Sequence, residues 1–236
     1  TFDPDRTYSL PWQSGMTGIA WNEDVTGPVT SIQQLLEDPK LKGKVKHFYH
    51  LGAVYDLEAS AEAMEKANIT GTKGALEFAE AVNAGCFHLV SSIAAAGLYR
   101  GTFTEDMFEE AEELEHPYHR TKHDSEAMVR ANGRIPFRVY RPGAVLGHSQ
   151  TGFIDKIDGP YYFFKALQKL RESWPRSIPL VGIEGGYINV VPVDFVADAM
   201  NVLLDDPAAT GLTVHLAAGP ERQATIGSLA EMAQRF

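Results

Sequence analysis

A tyrosine and a lysine four residues apart are the first residues whose types and spacing suggest chemistry. Tyr118 and Lys122 belong to the run Tyr-His-Arg-Thr-Lys, and residues i and i+4 of a helix share one face. An ammonium beside a tyrosine favours the phenolate and lowers the pKa of the phenol. Such a tyrosine can donate or accept a proton near neutral pH. The same spacing also occurs on solvated helices, so other parts of the chain have to support this interpretation.

Three further polar residues are candidates for the same site. Ser91 and Ser92 directly follow an apolar run typical of a strand, and groups at the carboxyl end of a parallel strand face the ligand crevice. Ser92 is therefore a candidate donor to a substrate carbonyl, and the alternative is a serine that caps a turn. Asn68 lies on the apolar stripe of a predicted helix, where a polar side chain needs partners. A satisfied core asparagine is an equally good interpretation of Asn68.

Composition narrows the class of protein. The 236 residues suffice for one α/β domain, and a formal net charge of −10 argues against nucleic acid as a partner. A single cysteine precludes an internal disulfide, and neither a signal peptide nor an apolar run of membrane-spanning length is recognisable. We therefore expect a cytoplasmic protein. His116, His119 and His123 have helix-like spacing, but we expect no metal because Tyr118 already accounts for this stretch.

The elements that must position these side chains alternate between strand and helix. Strands are predicted at 45–51, 87–91, 137–140, 179–181, 188–190 and 213–217. Helices are predicted at 61–84, 117–131, 161–170, 193–204 and 226–236. The run Arg141-Pro142-Gly143 is predicted to be a turn that ends a strand. This alternation predicts an α/β fold, a Rossmann-like doubly wound parallel sheet with a small C-terminal substrate-binding portion.

Residues 1–40 do not fit the start of such a sheet. A dinucleotide-binding fold opens with a strand, a glycine-rich turn and a helix, because the turn lets backbone amides approach the pyrophosphate. Here Gly15, Gly18 and Gly27 form no such motif, and no strand-like run precedes them. We leave 1–40 unassigned and expect the true beginning to lie outside this chain, as in one module of a longer protein. The alternative is a degenerate relative.

Five motifs follow one another in the rest of the chain. They are His50-Leu51-Gly52-Ala53, Asn68-Ile69-Thr70-Gly71-Thr72, Ser91-Ser92, Tyr118-x-x-x-Lys122 and Arg141-Pro142-Gly143. In order and spacing, 41–236 resembles the extended short-chain dehydrogenase/reductases. Segments 90–97, 116–122, 155–164 and 189–194 are most similar to bacterial fatty acyl-CoA and fatty aldehyde reductases, which are thioester-reductase-like.

The resemblance implies a role for each motif. Tyr118 would be the acid, Ser92 the carbonyl donor and Lys122 the residue that holds the nicotinamide ribose, while Asn68 would support the lysine through a water. The residues expected beside the cofactor, in addition to Tyr118 and Lys122, are His50, Leu51, Gly52, Ala53, Ser91, Arg141, Pro142 and Gly143. The cofactor would be NADPH, with NADH not excluded.

The implied reaction is reduction of a fatty acyl-CoA or fatty aldehyde to an aldehyde or alcohol. The expected substrate-binding residues are Ile93, Tyr161, Phe163 and Phe164, although such an aromatic cluster is more often core or subunit interface. Tyr187 stands where many relatives carry an arginine that contacts substrate phosphates. The alternatives are a nucleotide-sugar epimerase or dehydratase on the same fold and a non-catalytic cofactor-binding module. We expect a homo-oligomer or a second reductase module as a protein partner.

Overall fold

The computed structural model describes residues 9–12, 17–20, 34, 39, 41–54, 59–154, 161, 186–204, 206, 209–225 and 227–228. The strands are β1 (Ser9–Trp12), β2 (Thr17–Ala20), β3 (His47–His50), β4 (Cys86–Val90), β5 (Phe137–Pro142), β6 (Ala144–Leu146), β7 (Tyr187–Ile188), β8 (Val190–Pro192), β9 (Thr213–Leu216) and β10 (Ala224–Thr225). The helices are α1 (Ala61–Glu65), α2 (Gly71–Ala81), α3 (Pro117–Asn132) and α4 (Val193–Leu204). A π-helical turn, Lys66–Thr70, joins α1 to α2, and 3₁₀ turns occupy Ile93–Ala96 and Pro220–Arg222.

The chain divides into two compact units. The first unit comprises Thr1–Val54, Ala59–Arg141 and Asp206–Val214. The second unit comprises Tyr55–Glu58, Pro142–Asp205 and His215–Phe236. Most of the candidate residues, including Tyr118, Lys122 and Ser92, belong to the first unit.

A four-stranded sheet with the order β3-β4-β5-β9 organises the first unit. The pairs β3–β4 and β4–β5 are parallel, with His50 opposite Leu89 and Val90 opposite Tyr140. The predicted α/β fold with a parallel sheet is thus confirmed. Because parallel strands end at the same edge, the residues that follow β3 and β4 are brought to one side of the sheet.

One face of this sheet packs against α2 and α3 and forms the core. The apolar side chains of α2 recur at helical spacing and meet alternate side chains of the strands, as amphipathic elements require. The buried members of this core are Leu76, Ala79, Val82, Ala84, Phe87, Leu89, Val129, Ile135 and Val139. Burial of each large side chain contributes about 1.5–3 kcal/mol, so this core fixes α3, and with it Tyr118 and Lys122, against the sheet.

The ends of α3 follow from local sequence. Pro117 occupies the first turn, where a missing N–H has no consequence, and the His116 side chain accepts a hydrogen bond from the Tyr118 amide. Gly133 ends the helix with φ of 63° in the left-handed region, which glycine adopts at little cost. The helix predicted at 117–131 is therefore confirmed to within one residue.

Three local predictions from the sequence are wrong. Arg141 and Pro142 do not form a turn but belong to β5, and β6 begins at Ala144 after a single intervening glycine. A strand does precede Gly15, since β1 and β2 form an antiparallel pair, whose backbone bonds need no apolar run. The strand predicted at 188–190 is two strands, β7 and β8, separated at Asn189.

The other predicted elements have mixed outcomes. The helix predicted at 61–84 ends at Ala81 and includes the π-helical turn, whereas the helix predicted at 193–204 is confirmed. The strand predicted at 179–181 lies outside the described residues, and so does nearly all of the helices predicted at 161–170 and 226–236, of which only 161 and 227–228 are described. Among the helices of the described part, none is long and apolar enough to cross a membrane. The described residues also contain no group of three or more side chains suited to bind a metal.

Candidate active site

Lys122 is a buried ammonium at the end of a strand. It lies on α3, is 6% exposed, and donates a hydrogen bond from Nζ to the backbone oxygen of Val90 at 3.1 Å. Burial lowers the pKa of Lys122 to about 8, and the negative charge of Glu126 opposes this shift. Lys122 is therefore mostly charged at neutral pH, directly beside the last residue of β4.

Tyr118 lies one helical turn before Lys122 and is half-buried. Its amide donates to Nδ1 of His116 at 3.2 Å, and its backbone oxygen accepts from the Thr121 hydroxyl at 3.2 Å. These contacts hold the tyrosine in the first turn of α3. The i, i+4 relation between Tyr118 and Lys122 that the sequence indicated is thus realised in a regular helix.

Ser92 follows β4 and caps the 3₁₀ turn that comes next. Its Oγ accepts a hydrogen bond from the Ala94 amide at 3.1 Å. A serine hydroxyl that accepts one bond still has its own proton to donate. The capping role and the predicted role as a carbonyl donor are therefore compatible. Ser91, in contrast, turns inward and donates from Oγ to Oε2 of Glu126 at 2.9 Å.

Asn68 lies in the π-helical turn and is 2% exposed. Its Oδ1 accepts from the Val54 amide at 2.7 Å, and its Nδ2 donates to the Val54 oxygen at 3.2 Å and to Thr121 Oγ1 at 3.0 Å. Its backbone oxygen accepts from the hydroxyls of Thr72 and Ser125. Asn68 thus ties the segment after β3 to α3, and π-helical turns are frequent at functional sites. A water between Asn68 and Lys122 stays a prediction.

His50 ends β3 and is neutral. Thr72 donates its only hydroxyl proton to the Asn68 oxygen at 2.6 Å, so the 3.0 Å contact between His50 Nε2 and Thr72 Oγ1 requires a proton on Nε2. Burial, followed by the charge of Lys122, lowers the pKa of His50 to about 4. The ring therefore keeps Nδ1 as an acceptor. Leu51 is 63% exposed, and Gly52 and Ala53 are half-buried beyond it.

A buried charge cluster, which sequence reasoning missed, lies beneath Ser91. Arg141 donates to Glu126 from Nε at 3.1 Å and from Nη2 at 2.6 Å, and Arg130 donates to Glu126 from Nε at 2.9 Å and from Nη2 at 2.8 Å. Burial alone would raise the pKa of Glu126, but the hydrogen bonds and charges of Arg141 and Arg130 hold it below its usual value. We call Glu126, Arg130, Arg141 and Ser91 the Glu126 cluster. The Arg141 guanidinium is thereby occupied, so a cofactor contact predicted for this stretch would involve backbone groups.

A signal for this cluster is present in the sequence. Lys122, Glu126 and Arg130 are spaced by four along one helix, which places all three charges on one face. That face was open to two interpretations, since charged helix faces are usually solvated. The structure shows that the face is buried, because Arg141 of β5 binds Glu126 there.

Gly143, a predicted cofactor residue, belongs to the second unit. Its amide donates to the Leu216 oxygen at 3.0 Å, and the next amide, of Ala144, donates to the Asn189 oxygen at 2.8 Å. A Cβ at position 143 would lie 2.7 Å from both the backbone oxygen and Oδ1 of Asn189. The Asn189 side chain is itself held by the backbone of Ala218. Only glycine fits beside this asparagine.

The predicted substrate residues are only partly described. Ile93 is half-buried in the 3₁₀ turn after Ser92. Tyr161, in the second unit, accepts a hydrogen bond at its hydroxyl from the Gly147 amide at 2.8 Å. Phe163 and Phe164 lie outside the described residues. Tyr187, at the position where an arginine was expected in phosphate-binding relatives, is 72% exposed.

The fold and these side chains define a Rossmann-like domain of the extended short-chain dehydrogenase/reductase type. Residues 37–200 match the NAD-binding family described as Male sterility protein, and the chain belongs to that family. The resemblance inferred from the five motifs is thus confirmed.

Solved structures agree with this fold. The terminal R domain from the myxalamid PKS-NRPS biosynthetic pathway is 25% identical with a TM-score of 0.73, and the match covers 88% of this chain and 51% of that one. The UDP-glucuronic acid 4-epimerase from Bacillus cereus in complex with NAD is 21% identical with a TM-score of 0.63, covering 87% of this chain and 62% of that one. The second likeness concerns the fold alone.

Curated relatives include two aldehyde reductases from Aspergillus flavus. One is 27% identical over 233 residues, and the match covers 90% of this chain and 22% of the relative. The other is 30% identical over 205 residues, and the match covers 78% of this chain and 19% of the relative. A non-canonical nonribosomal peptide synthetase from Cladobotryum sp is 26% identical over 219 residues, 83% of this chain and 20% of the relative. The chain therefore spans about a fifth of the length of these relatives.

Proposed function

We propose that the chain carries the catalytic residues of a nicotinamide-dependent reductase that converts a carbonyl to an alcohol or a thioester to an aldehyde. The observation that carries this proposal is the buried ammonium of Lys122 at the end of β4, one helical turn from Tyr118 and next to the Ser91–Ser92 pair. The similarity to two aldehyde reductases supports the same class of reaction.

The residues present fit the ribose half of a nicotinamide cofactor. An ammonium has three N–H donors, and within the described residues one of them, on Lys122, is used by Val90. Two remain for ribose hydroxyls, and Nδ1 of the neutral His50 is an acceptor close to the same charge. For the pyrophosphate half the sequence contains no glycine-rich turn. We propose NADPH as the cofactor, and the alternative is NADH.

Each catalytic residue has a distinct task in this proposal. Bound nicotinamide supplies the hydride. Ser92 donates its hydroxyl proton in a hydrogen bond to the substrate oxygen, where negative charge develops. Tyr118 transfers its phenolic proton to that oxygen, and the positive charge of Lys122 stabilises the phenolate that remains. With a thioester substrate, the hemithioacetal formed in this way would then release the thiol and leave the aldehyde. Solvent then returns a proton to Tyr118, so that the site regains its starting charge.

For the substrate we propose an apolar aldehyde, or the fatty acyl-CoA thioester that would yield it. Tyr187 is exposed and uncharged where an arginine would suit a sugar diphosphate. We expect the aromatic run that starts at Tyr161 in the sequence to supply apolar surface. Each methylene buried against such a surface contributes about 0.8 kcal/mol, so kcat/KM is expected to rise with chain length until the pocket is filled.

The test is a substrate panel with the natural full-length polypeptide. Aldehydes from two to sixteen carbons, the matching acyl-CoAs and UDP-glucuronic acid are each offered with NADPH and with NADH, while nicotinamide absorbance and sugar epimerisation are followed. Turnover of aldehydes or thioesters that depends on Tyr118 is the expected result. Turnover of the nucleotide sugar alone, or none of any carbonyl, would overturn the proposal.

A further inference from the structure

The Glu126 cluster joins parts of the site that are distant in sequence. Glu126 lies one turn beyond Lys122 on α3 and is buried, and its carboxylate receives the Ser91 hydroxyl from the end of β4. It also receives Arg141 from β5. One carboxylate therefore connects the helix that bears Tyr118 and Lys122 to the strand end that leads into Ser92.

The Ser91 bond is not needed to neutralise the charge of Glu126. The two guanidinium groups already give Glu126 four N–H bonds, so its charge is neutralised without Ser91. Buried ion pairs are weak stabilisers in comparison with apolar packing, because desolvation offsets the attraction between the charges. The Ser91 bond nevertheless joins this carboxylate to the residue that directly follows β4, and the next residue is Ser92.

We propose that Glu126 is a positioning residue of the reduction: through its bond to Ser91 it sets the place of the Ser92 hydroxyl relative to Lys122 and Tyr118. The inference rests on the proposed function, since it assigns a role within the same site. Two side chains of α3 contact the strand end. Lys122 holds the Val90 oxygen at 3.1 Å, and Glu126 holds the Ser91 hydroxyl at 2.9 Å. Both groups project from consecutive turns of α3, so one rigid helix sets the start of the 3₁₀ turn.

The remote end of the cluster offers a matched control. Arg130 also donates to the hydroxyl of Thr213 on β9, and Thr213 is buried like Ser91. Ser91→Ala and Thr213→Val each remove one hydroxyl from the network. Only Ser91→Ala removes the link to Ser92. Both variants leave the Glu126–arginine pairs in place, so both are expected to fold.

Two measurements on the full chain separate positioning from stability. The first is amide hydrogen exchange of Ala94, whose N–H is bonded to Ser92 Oγ. The second is kcat, with the cofactor KM, for the best aldehyde. In Ser91→Ala the Ala94 exchange is expected to speed up several-fold. We expect kcat to fall about tenfold, more than the cofactor KM changes, since a misplacement of about 1 Å can cost up to about 10²-fold. In Thr213→Val both are expected to stay near wild type, although melting temperatures fall alike.

The outcomes distinguish this inference from the proposed function. Unchanged Ala94 exchange in Ser91→Ala overturns the positioning role whether or not the enzyme turns over. Faster exchange with wild-type kcat also overturns it, because the displacement then has no catalytic consequence. Equal losses of kcat in both variants would also overturn it, because the Glu126 cluster would then act only by stabilising the fold. If the wild-type protein reduces no carbonyl, the proposed function fails, and Ala94 exchange alone decides whether Glu126 orders the turn.

Discussion

The ammonium of Lys122 lies 3.1 Å from the backbone oxygen of Val90, the last residue of β4. This contact brings a charged side chain of α3 to the carboxyl edge of the sheet, immediately before Ser91 and Ser92. A buried ammonium is unfavourable unless it is paired and hydrogen-bonded, and the negative charge of Glu126 opposes the lowering of the Lys122 pKa by burial. The position of this charge, one helical turn after Tyr118 and at the strand end that leads into Ser92, is the basis of the predictions that follow.

Tyr118→Phe is expected to lower kcat by about 10²–10⁴-fold, the usual contribution of a general acid. The phenyl ring keeps the shape of the side chain, so the fold should be retained. Steady-state kinetics with the best aldehyde measure the effect. Tyr99→Phe is the control, because Tyr99 is a half-buried tyrosine that packs edge-on against Phe103 outside the site. Equal kcat values for the two variants would contradict the assignment.

Lys122→Met is expected to weaken cofactor binding by roughly tenfold or more, the loss typical of a hydrogen bond to a charged group. It should also move the pH–rate profile toward higher pH, because phenolate formation at Tyr118 loses its neighbouring positive charge. Titration of nicotinamide fluorescence gives Kd, and kcat from pH 6 to 10 gives the profile. Lys73→Met, at an exposed lysine of α2, should alter neither. An unchanged Kd together with an unchanged profile excludes both roles.

The same lysine predicts a pH dependence of stability. Burial lowers the pKa of Lys122 from 10.5 to about 8, so between these values the unfolded chain binds more protons than the folded one. The free energy of unfolding should therefore rise with pH in this window, by about 3 kcal/mol in total. Well below pH 8 Lys122 is protonated in both states, and its buried charge lowers the free energy of unfolding by the whole amount. Well above pH 10.5 Lys122 is neutral in both states, and this loss of stability disappears.

The measurement is urea denaturation of wild type and Lys122→Met from pH 7 to 10.5. The variant is expected to be the more stable protein at pH 7, and its advantage should shrink as pH rises. Groups that titrate alike in both proteins cancel in this difference. Lys73→Met, which removes an exposed lysine of α2, is the control for the loss of a lysine side chain. A constant difference for Lys122→Met would mean that Lys122 has no depressed pKa.

Local patterns were sufficient to predict the sheet and α3. Short β-prone runs at β3, β4 and β5 and a proline at the start of α3 are signals that neighbouring residues carry by themselves. The Tyr118–Lys122 relation followed from helix geometry alone. The turn predicted at Arg141-Pro142-Gly143 was wrong because it was inferred from these residues alone. In the structure β5 extends to Pro142, and its length depends on pairing with the rest of the sheet.

The burial of the charged residues Glu126 and Arg141 could not be predicted either, because it also depends on residues distant in the chain. Glu126 and Arg141 are each residues that normally face water, and their burial depends on a partner 15 positions away in the chain. The π-helical turn around Asn68 likewise leaves no mark in the apolar pattern. It becomes visible only where the Asn68 side chain meets Val54 and Thr121. The pairing of polar groups that are distant in the chain is thus the part of this site that could not be predicted from the sequence.

Gly143→Ala is expected to destabilise the protein by about 1–3 kcal/mol, as overpacking does. The added Cβ would lie 2.7 Å from two oxygens of Asn189, and one of them is a backbone oxygen that cannot rotate away. Gly74→Ala, on α2 with no atom within 4 Å of the added Cβ, should instead stabilise by about 0.5–1 kcal/mol, because alanine favours the helix. Thermal unfolding of both variants is the measurement, and a loss at Gly74 comparable to that at Gly143 would refute the steric explanation.

Asn68→Ala tests whether the π-helical turn supports the segment beside the predicted cofactor site. The substitution removes the acceptor of the Val54 amide and the donor to the Val54 oxygen and Thr121. Unpaired buried polar groups destabilise a protein by about 1–3 kcal/mol, so the unfolding free energy should fall by that order.

The effect of Asn68→Ala should extend to Leu51–Val54, because Asn68 anchors the end of that segment. Val54 amide exchange is expected to accelerate, and cofactor Kd to rise, with kcat at saturating cofactor less affected. Asn132→Ala is the matched control. It removes a side-chain hydrogen bond to Glu80 at the far end of α3, so it should lower stability modestly and leave Kd unchanged. If Kd follows stability equally in both variants, Asn68 is a core asparagine whose hydrogen bonds are satisfied and has no separate role in cofactor binding.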